Sequence, residues 1–228
     1  MPLIKSRTAA LSACLFSLFA SVSLRGDVMS TLSNWDGSSL IYPFGTPNTQ
    51  TYGELITASP ANAVLNSFSF EMKIPTNLTF AGYVYAWDST QLAATGPQLY
   101  ASGPMSTTDS TVFQQITFTV PSLALTPGQE YVLFASTSAF GNPVSSTGVW
   151  GLTNTMAYGG MVYNNNSTDT SQWTTGGGWS NWGSDLAFQA DFGPASATPE
   201  PAYFGLLPAA FFGMLIVKRR RKTVAALN

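Results

Sequence analysis

The sequence predicts an all-β fold: an antiparallel β-sandwich, jelly-roll-like, with an N-terminal signal helix and one C-terminal transmembrane helix attached. Three observations predict it. Apolar and aromatic residues recur at every second position in several short runs, the period of a half-buried strand. Clusters of Gly, Pro and Asn punctuate those runs at short intervals. Between the two terminal apolar segments, no stretch carries a helical period.

In chain order, residues 1–26 read as a signal peptide. Lys5 and Arg7 form a small positive region, and residues 9–22 (AALSACLFSLFASV) are an apolar, small-residue stretch of the usual length. Cleavage fits after Ser23 or after Gly26, and the sequence does not separate the two. Leu11-Ser12-Ala13-Cys14 has the look of a lipoprotein box, but the apolar run continues past the cysteine instead of preceding it. Cys14 is the only cysteine. A processed chain therefore has neither a disulfide framework nor thiol chemistry.

Residues 27–193 read as the β-sandwich domain, long enough for one core. Phe68, Phe70 and Met72 alternate with polar neighbours. Tyr83, Tyr85 and Trp87 alternate with Val84 and Ala86, so both faces of that strand are substantial. Val112, Ile116, Phe118 and Val120 share one face, and further strands are expected over 130–136, 156–163 and 186–192. Pro127-Gly128 fits a type II turn, proline fixing the first corner and glycine accepting a positive φ at the second. Residues 164–183 form a long polar stretch.

Residues 194–201 are a linker ending in Pro199-Glu200-Pro201. Residues 202–217 (AYFGLLPAAFFGMLIV) are apolar, and residues 218–228 open with Lys218, Arg219, Arg220, Arg221 and Lys222. Sixteen apolar residues are few for a bilayer that takes about 20, but snorkelling Lys218 and Arg219 extend the span. The basic run acts as a stop and places residues 218–228 in the cytoplasm under the positive-inside rule.

Charge narrows the function classes. From Asp27 to Pro201 there are eleven acidic residues and one basic residue, Lys73, a net of −10. Such a surface repels nucleic acid, which needs clustered Lys and Arg. The chain has no histidine, so His-based catalysis and His metal sites are excluded. A glycosidase needs only two carboxylates across a cleft, and Asp36, Asp88, Glu130 and Asp185 are the candidates beside aromatic or turn positions. No catalytic residue is assigned and no cofactor is expected. Calcium is the one ion the acidic loops suggest, at Asp36, Asp185 and Asp191, without EF-hand spacing. Trp173, Trp179 and Trp182 stand in a Gly-rich segment, SQWTTGGGWSNWGS. They read either as stacking platforms for sugar rings or as a plug of the sandwich. On the first reading, replacing Trp179 and Trp182 by Ala abolishes polysaccharide retention without unfolding.

The ordered parts Pro199-Glu200-Pro201, apolar 202–217 and basic 218–222 resemble the PEP-CTERM sorting signal of Gram-negative bacteria that make extracellular polysaccharide. The stretches VMSTL, FSF, YVYAWD, TPGQEYVLFAS and LAFQADF more loosely resemble β-rich passengers catalogued as choice-of-anchor domains. The resemblance implies partners: signal peptidase, the general secretion machinery and an exosortase, a membrane cysteine protease that recognises Pro199, Glu200 and Pro201. It also implies a transient stay in the inner membrane, then release to the cell surface or extracellular matrix. The function expected is an exported, non-enzymatic surface or matrix protein sorted through its C-terminal signal and associated with exopolysaccharide. The alternatives are a carbohydrate-binding module or a carboxylate-based glycoside-active enzyme.

Overall fold

The computed structural model describes residues 26–60, 63–74, 78–106, 111–141 and 148–193. Among these described residues thirteen strands build two open antiparallel sheets. The first holds β1 (Val28–Ser30), β2 (Leu40–Phe44), β4 (Val64–Lys73), β8 (Gln114–Ala124), β10 (Gly148–Gly151) and β13 (Phe188–Gly193). The second holds β3 (Thr51–Thr57), β5 (Thr79–Asp88), β6 (Ala93–Ala101), β7 (Met105–Ser106), β9 (Glu130–Ser136), β11 (Met161–Asn164) and β12 (Ser180–Asn181).

In the first sheet β4 is central. It pairs with β8 along one edge and with β10 and β13 along the other, while β2 lies beyond β10 and β1 beyond β13. The second runs β12-β11-β3-β9-β5-β6, with β7 also on β5. The chain changes sheet at almost every step from β2 to β5 and again from β8 to β11. It thereby sets β2-β10-β4-β8 against β3-β9-β5-β6, the connectivity of two Greek keys wound into a jelly roll.

The expected helices are corrected. Among the described residues no helix is long and apolar enough to cross a membrane, and short 3-10 turns stand at Leu32–Asn34, Ser138–Phe140 and Thr170–Thr174. The fold class is all-β with two sheets. The predicted signal helix within 1–26 lies outside the described residues but for Gly26, and the transmembrane helix over 202–217 lies outside them altogether. Sorting through a membrane-spanning signal and a stay in the inner membrane on the way to the surface both require such a helix, and with none among the described residues neither expectation stands.

Alternation explains the strands. Leu65, Phe68, Phe70 and Met72 of β4 point into the sandwich, the change of parity between 65 and 68 being absorbed by a register shift against β8. Phe118 and Val120 of β8 and Phe188, Ala190 and Phe192 of β13 meet them. Trp150 of β10 packs at 4.7 Å on Phe70 and 5.2 Å on Phe44. Each buried Phe removes enough apolar surface from water to contribute about 1.5–3 kcal/mol. Gly128 has φ +83°, as a type II corner requires.

Two strand expectations are also corrected. Val112 lies before β8 and is 63% exposed. The strand expected at 156–163 begins only at Met161, because the Asp185 carboxylate captures the N–H groups of Ala157 and Tyr158 and takes that turn off the ladder.

The second sheet is buried on both faces. Val84 of β5 and Leu133 of β9 face the sandwich, whereas Tyr83, Tyr85, Trp87, Val132 and Phe134 form a separate cluster on the outer face. Residues 164–183 fold back over that face.

Candidate functional site

Two indoles hold residues 164–183 from inside. Trp173 and Trp179 are 3% and 2% exposed. Trp173 packs on Tyr83 at 4.7 Å and Phe134 at 5.0 Å, and Trp179 on Phe134 at 5.3 Å and Trp87 at 5.6 Å. Their N–H groups are used internally: Trp179 Nε1 donates to the Trp173 carbonyl at 2.8 Å, and Trp173 Nε1 to Thr51 Oγ1 at 3.3 Å. These two residues cover a sheet face and offer no free ring to a sugar. Trp182, beyond β12, is 46% exposed.

A hydroxyl and amide network fixes the start of the segment. Asn166 Oδ1 accepts from Thr51 Oγ1 at 3.0 Å and Ser138 Oγ at 2.9 Å, and its Nδ2 donates to the Asp169 carbonyl at 2.9 Å. The Ser167 N–H donates to Gln50 Oε1 at 2.9 Å. Asp169 caps the following 3-10 turn, Oδ1 accepting from the Ser171 N–H and hydroxyl and Oδ2 from Gln172 Nε2. These donors, the Ser171 hydroxyl foremost, hold its carboxyl below the usual aspartate range.

Between these anchors lies a groove of about 460 Å³, lined by Tyr163, Asn165, Ser167, Asp169, Gln172 and Ser180 among others. A smaller depression of about 200 Å³, lined by Ile41, Tyr42, Thr49, Tyr52, Tyr163 and Trp182, adjoins it through the shared Tyr163. Tyr42 is 68% exposed. An aromatic depression and a trough of amides and hydroxyls thus share Tyr163 in their walls.

Of the residues singled out from sequence, only Trp182 reaches this site. Asp36 is exposed and ties its own turn through Ser38 and Ser39, whose hydrogen bonds hold its carboxyl far below the ordinary range. Asp88 accepts from the Thr90 and Gln91 N–H groups. Glu130 opens β9 opposite Thr57. Asp191 accepts from Ser67 Oγ at 2.8 Å and Gln189 Nε2 at 3.0 Å. Asp185 is fully buried. The groove holds one carboxylate, Asp169, whereas glycoside cleavage takes two across the bond. Among the described residues no three of His, Cys, Asp and Glu gather to hold a metal ion. Pro199, Glu200, Pro201 and the basic residues Lys218 to Lys222 lie outside the described residues.

Tyr42, Tyr163 and the amide lining were given no binding role from sequence. The run Asn164-Asn165-Asn166 directly ahead of a Trp-bearing, Gly-rich segment was the available signal. Comparison with known proteins adds no family: no protein-family model, no curated protein and no solved structure matches the chain.

Proposed function

We propose that the domain is a non-catalytic binding module for neutral polysaccharide, seated on the Tyr42–Trp182 shelf and the adjoining amide groove. One observation carries the reading: Tyr163 joins two exposed aromatic rings to a trough of amide and hydroxyl groups. Sugar rings present apolar faces that stack on aromatic side chains, while their hydroxyls exchange hydrogen bonds with amides. The net charge of −10 over residues 27–201 selects against uronic-acid and sulfated polymers. Asp169 belongs to the scaffold on this reading, because both its oxygens already accept hydrogen bonds.

Native gel electrophoresis of the full-length protein through neutral β-glucan, neutral galactomannan or anionic polygalacturonate tests it. At least one neutral polymer should retard the protein and polygalacturonate should not. Trp182→Ala should weaken retardation about tenfold, the equivalent of about 1.4 kcal/mol. Equal mobility in all gels, or full retention by Trp182→Ala, would overturn the reading.

A further inference from the structure

We propose that Glu54 and Asp185 share one proton inside the sandwich, and that this proton latches residues 182–186 and the turn at 153–158 onto the second sheet. The latch would loosen as the proton is lost in alkaline solution.

Glu54 sits on β3 between Tyr52 and Ile56, both of which face the core, and it is fully buried, as is Asp185. Each carboxyl has one oxygen served by backbone N–H groups. Glu54 Oε2 accepts from Leu186 at 2.8 Å, and Asp185 Oδ2 accepts from Ala157 and, at 3.4 Å, from Tyr158. The other oxygen of each, Glu54 Oε1 and Asp185 Oδ1, has no donor. Leu186, whose N–H Glu54 Oε2 accepts, directly follows Asp185 in the chain, so the two buried carboxyls are neighbours. Between two ionised carboxylates no hydrogen bond exists, but a single proton supplies one and satisfies both orphaned oxygens.

The surroundings select a proton over a cation. The groups that meet these carboxyls are N–H donors, whereas a calcium ion needs six to eight oxygens. The nearby carbonyls of Asp185 and Thr155 are occupied, accepting from the Thr153 and Asp185 N–H groups respectively, both at 2.9 Å. No basic side chain balances the pair: Lys73, the one basic residue among the described residues, lies over the Phe113 ring.

The groups packed on Glu54 are few. β9 and β11 present Leu133 and Met161 opposite it. The 153–158 turn brings one titratable group, Tyr158, whose hydroxyl accepts from the Ser30 N–H at 3.1 Å. The 182–186 segment brings Asp185. Burial, then the Asp185 charge, push the Glu54 carboxyl well above its ordinary range. The folded state therefore keeps a proton that the unfolded chain has already released. Stability is full below the ordinary glutamate range and falls as pH rises toward the folded value, by up to tenfold in the folding constant per pH unit.

What loosens follows from the connections. Asp185 N–H donates to the Thr155 carbonyl, Met161 N–H to Ser184 and Trp182 N–H to Met161, so the strap from 182 to 186 is tied to the sheet on both sides of the acid pair.

Urea unfolding of the full-length protein at stepped pH, from about 5 to about 9, tests the latch. The chain has no histidine, leaving the α-amino group and Cys14 as ordinary titrants in that window beside Glu71, whose carboxyl is also raised by burial and keeps its share of the slope in Glu54→Gln. Wild type should lose stability with rising pH. Glu54→Gln should remove the acid pair's share of that slope, since the amide donates to Asp185 Oδ1 without titrating. Infrared spectra of wild type at neutral pH should show a protonated-carboxyl C=O band that disappears in alkali, and this readout holds even if Glu54→Gln does not fold. An unchanged slope in Glu54→Gln, no such band, or a rise in the wild-type midpoint with calcium chloride that Glu54→Gln lacks would each overturn the proposal.

Discussion

Trp173→Ala and Trp182→Ala separate the structural from the binding role of the segment that carries both. Trp173 is enclosed by Tyr83 and Phe134, with ring centroids 4.7 and 5.0 Å away. Truncating such a side chain leaves a cavity that a two-faced sheet collapses into poorly, and Trp or Phe to Ala in a core costs about 3–5 kcal/mol. The lost Nε1 bond adds little, because Thr51 Oγ1 keeps Ser136 and Asn166 as partners. Trp182 is 46% exposed, and surface changes stay within about 0.5 kcal/mol. With a urea slope of about 2 kcal/mol/M, Trp173→Ala should lower the unfolding midpoint by about 2 M and Trp182→Ala by about 0.25 M or less. Circular dichroism read against urea measures both on the full-length protein. Equal midpoints for the two variants would refute the account of Trp173 as an inner anchor.

Gly82→Ala probes the spacing of the sheets: a Cβ there would lie 2.3 Å from Phe118 Cδ1, and Phe118 is itself stacked on Phe68 at 4.9 Å. Overpacking of this kind costs about 1–3 kcal/mol, read as a lower urea midpoint that Phe118→Leu in the same chain should partly restore; a neutral Gly82→Ala would mean the sheets lie farther apart. Asp169 gives an acid-side test, because its carboxyl is held below the usual range by Ser171 and Gln172. Its support of the groove is therefore present above the ordinary aspartate range and lost as pH falls through the lowered value. Gel retention on the neutral polymer should hold through the ordinary aspartate range and decline only below it in wild type and not in Asp169→Asn, whereas the same acid profile in both would remove Asp169 from the scaffold of the site.

Strand existence was legible wherever one face meets water. In β4, β8 and β13 the apolar residues alternate with polar ones, and period two announces them. In β5 the aromatic load on both parities was visible at Tyr83 to Trp87, but its meaning was not, since nothing local says that a segment some 90 residues later covers the outer face. That same covering hid the site. Trp173, Trp179 and Trp182 look alike in a Gly-rich run, and only the packing against Phe134 distinguishes the two that point inward from the one that does not. Glu54 was invisible for the opposite reason. A lone acid between Gly53 and Leu55 carries no pattern, and its partner lies 131 residues away in sequence. The predicted helix at 202–217 came from composition alone and has no counterpart among the described residues.

The inward and outward roles interleave along one segment. Trp173 goes in while Gln172 lines the groove; Trp179 goes in while Ser180 lines it; Asn166 is tied down while Asn165 and Ser167 stand at the surface. The anchors are large rings and the Asn166 amide, which joins Thr51, Ser138 and Asp169, so the segment holds its course with few regular backbone hydrogen bonds. Apart from Asp169 and Gln172, which tie the 3-10 turn, side chains facing the groove contribute little to that hold, because the ring packing and the Thr51–Asn166 network lie beneath them. A binding surface built this way can change its outward residues without disturbing the sheet. The same separation explains why a trough of amides and hydroxyls survives in so acidic a domain: the one carboxylate in its lining is spent on the turn that shapes it.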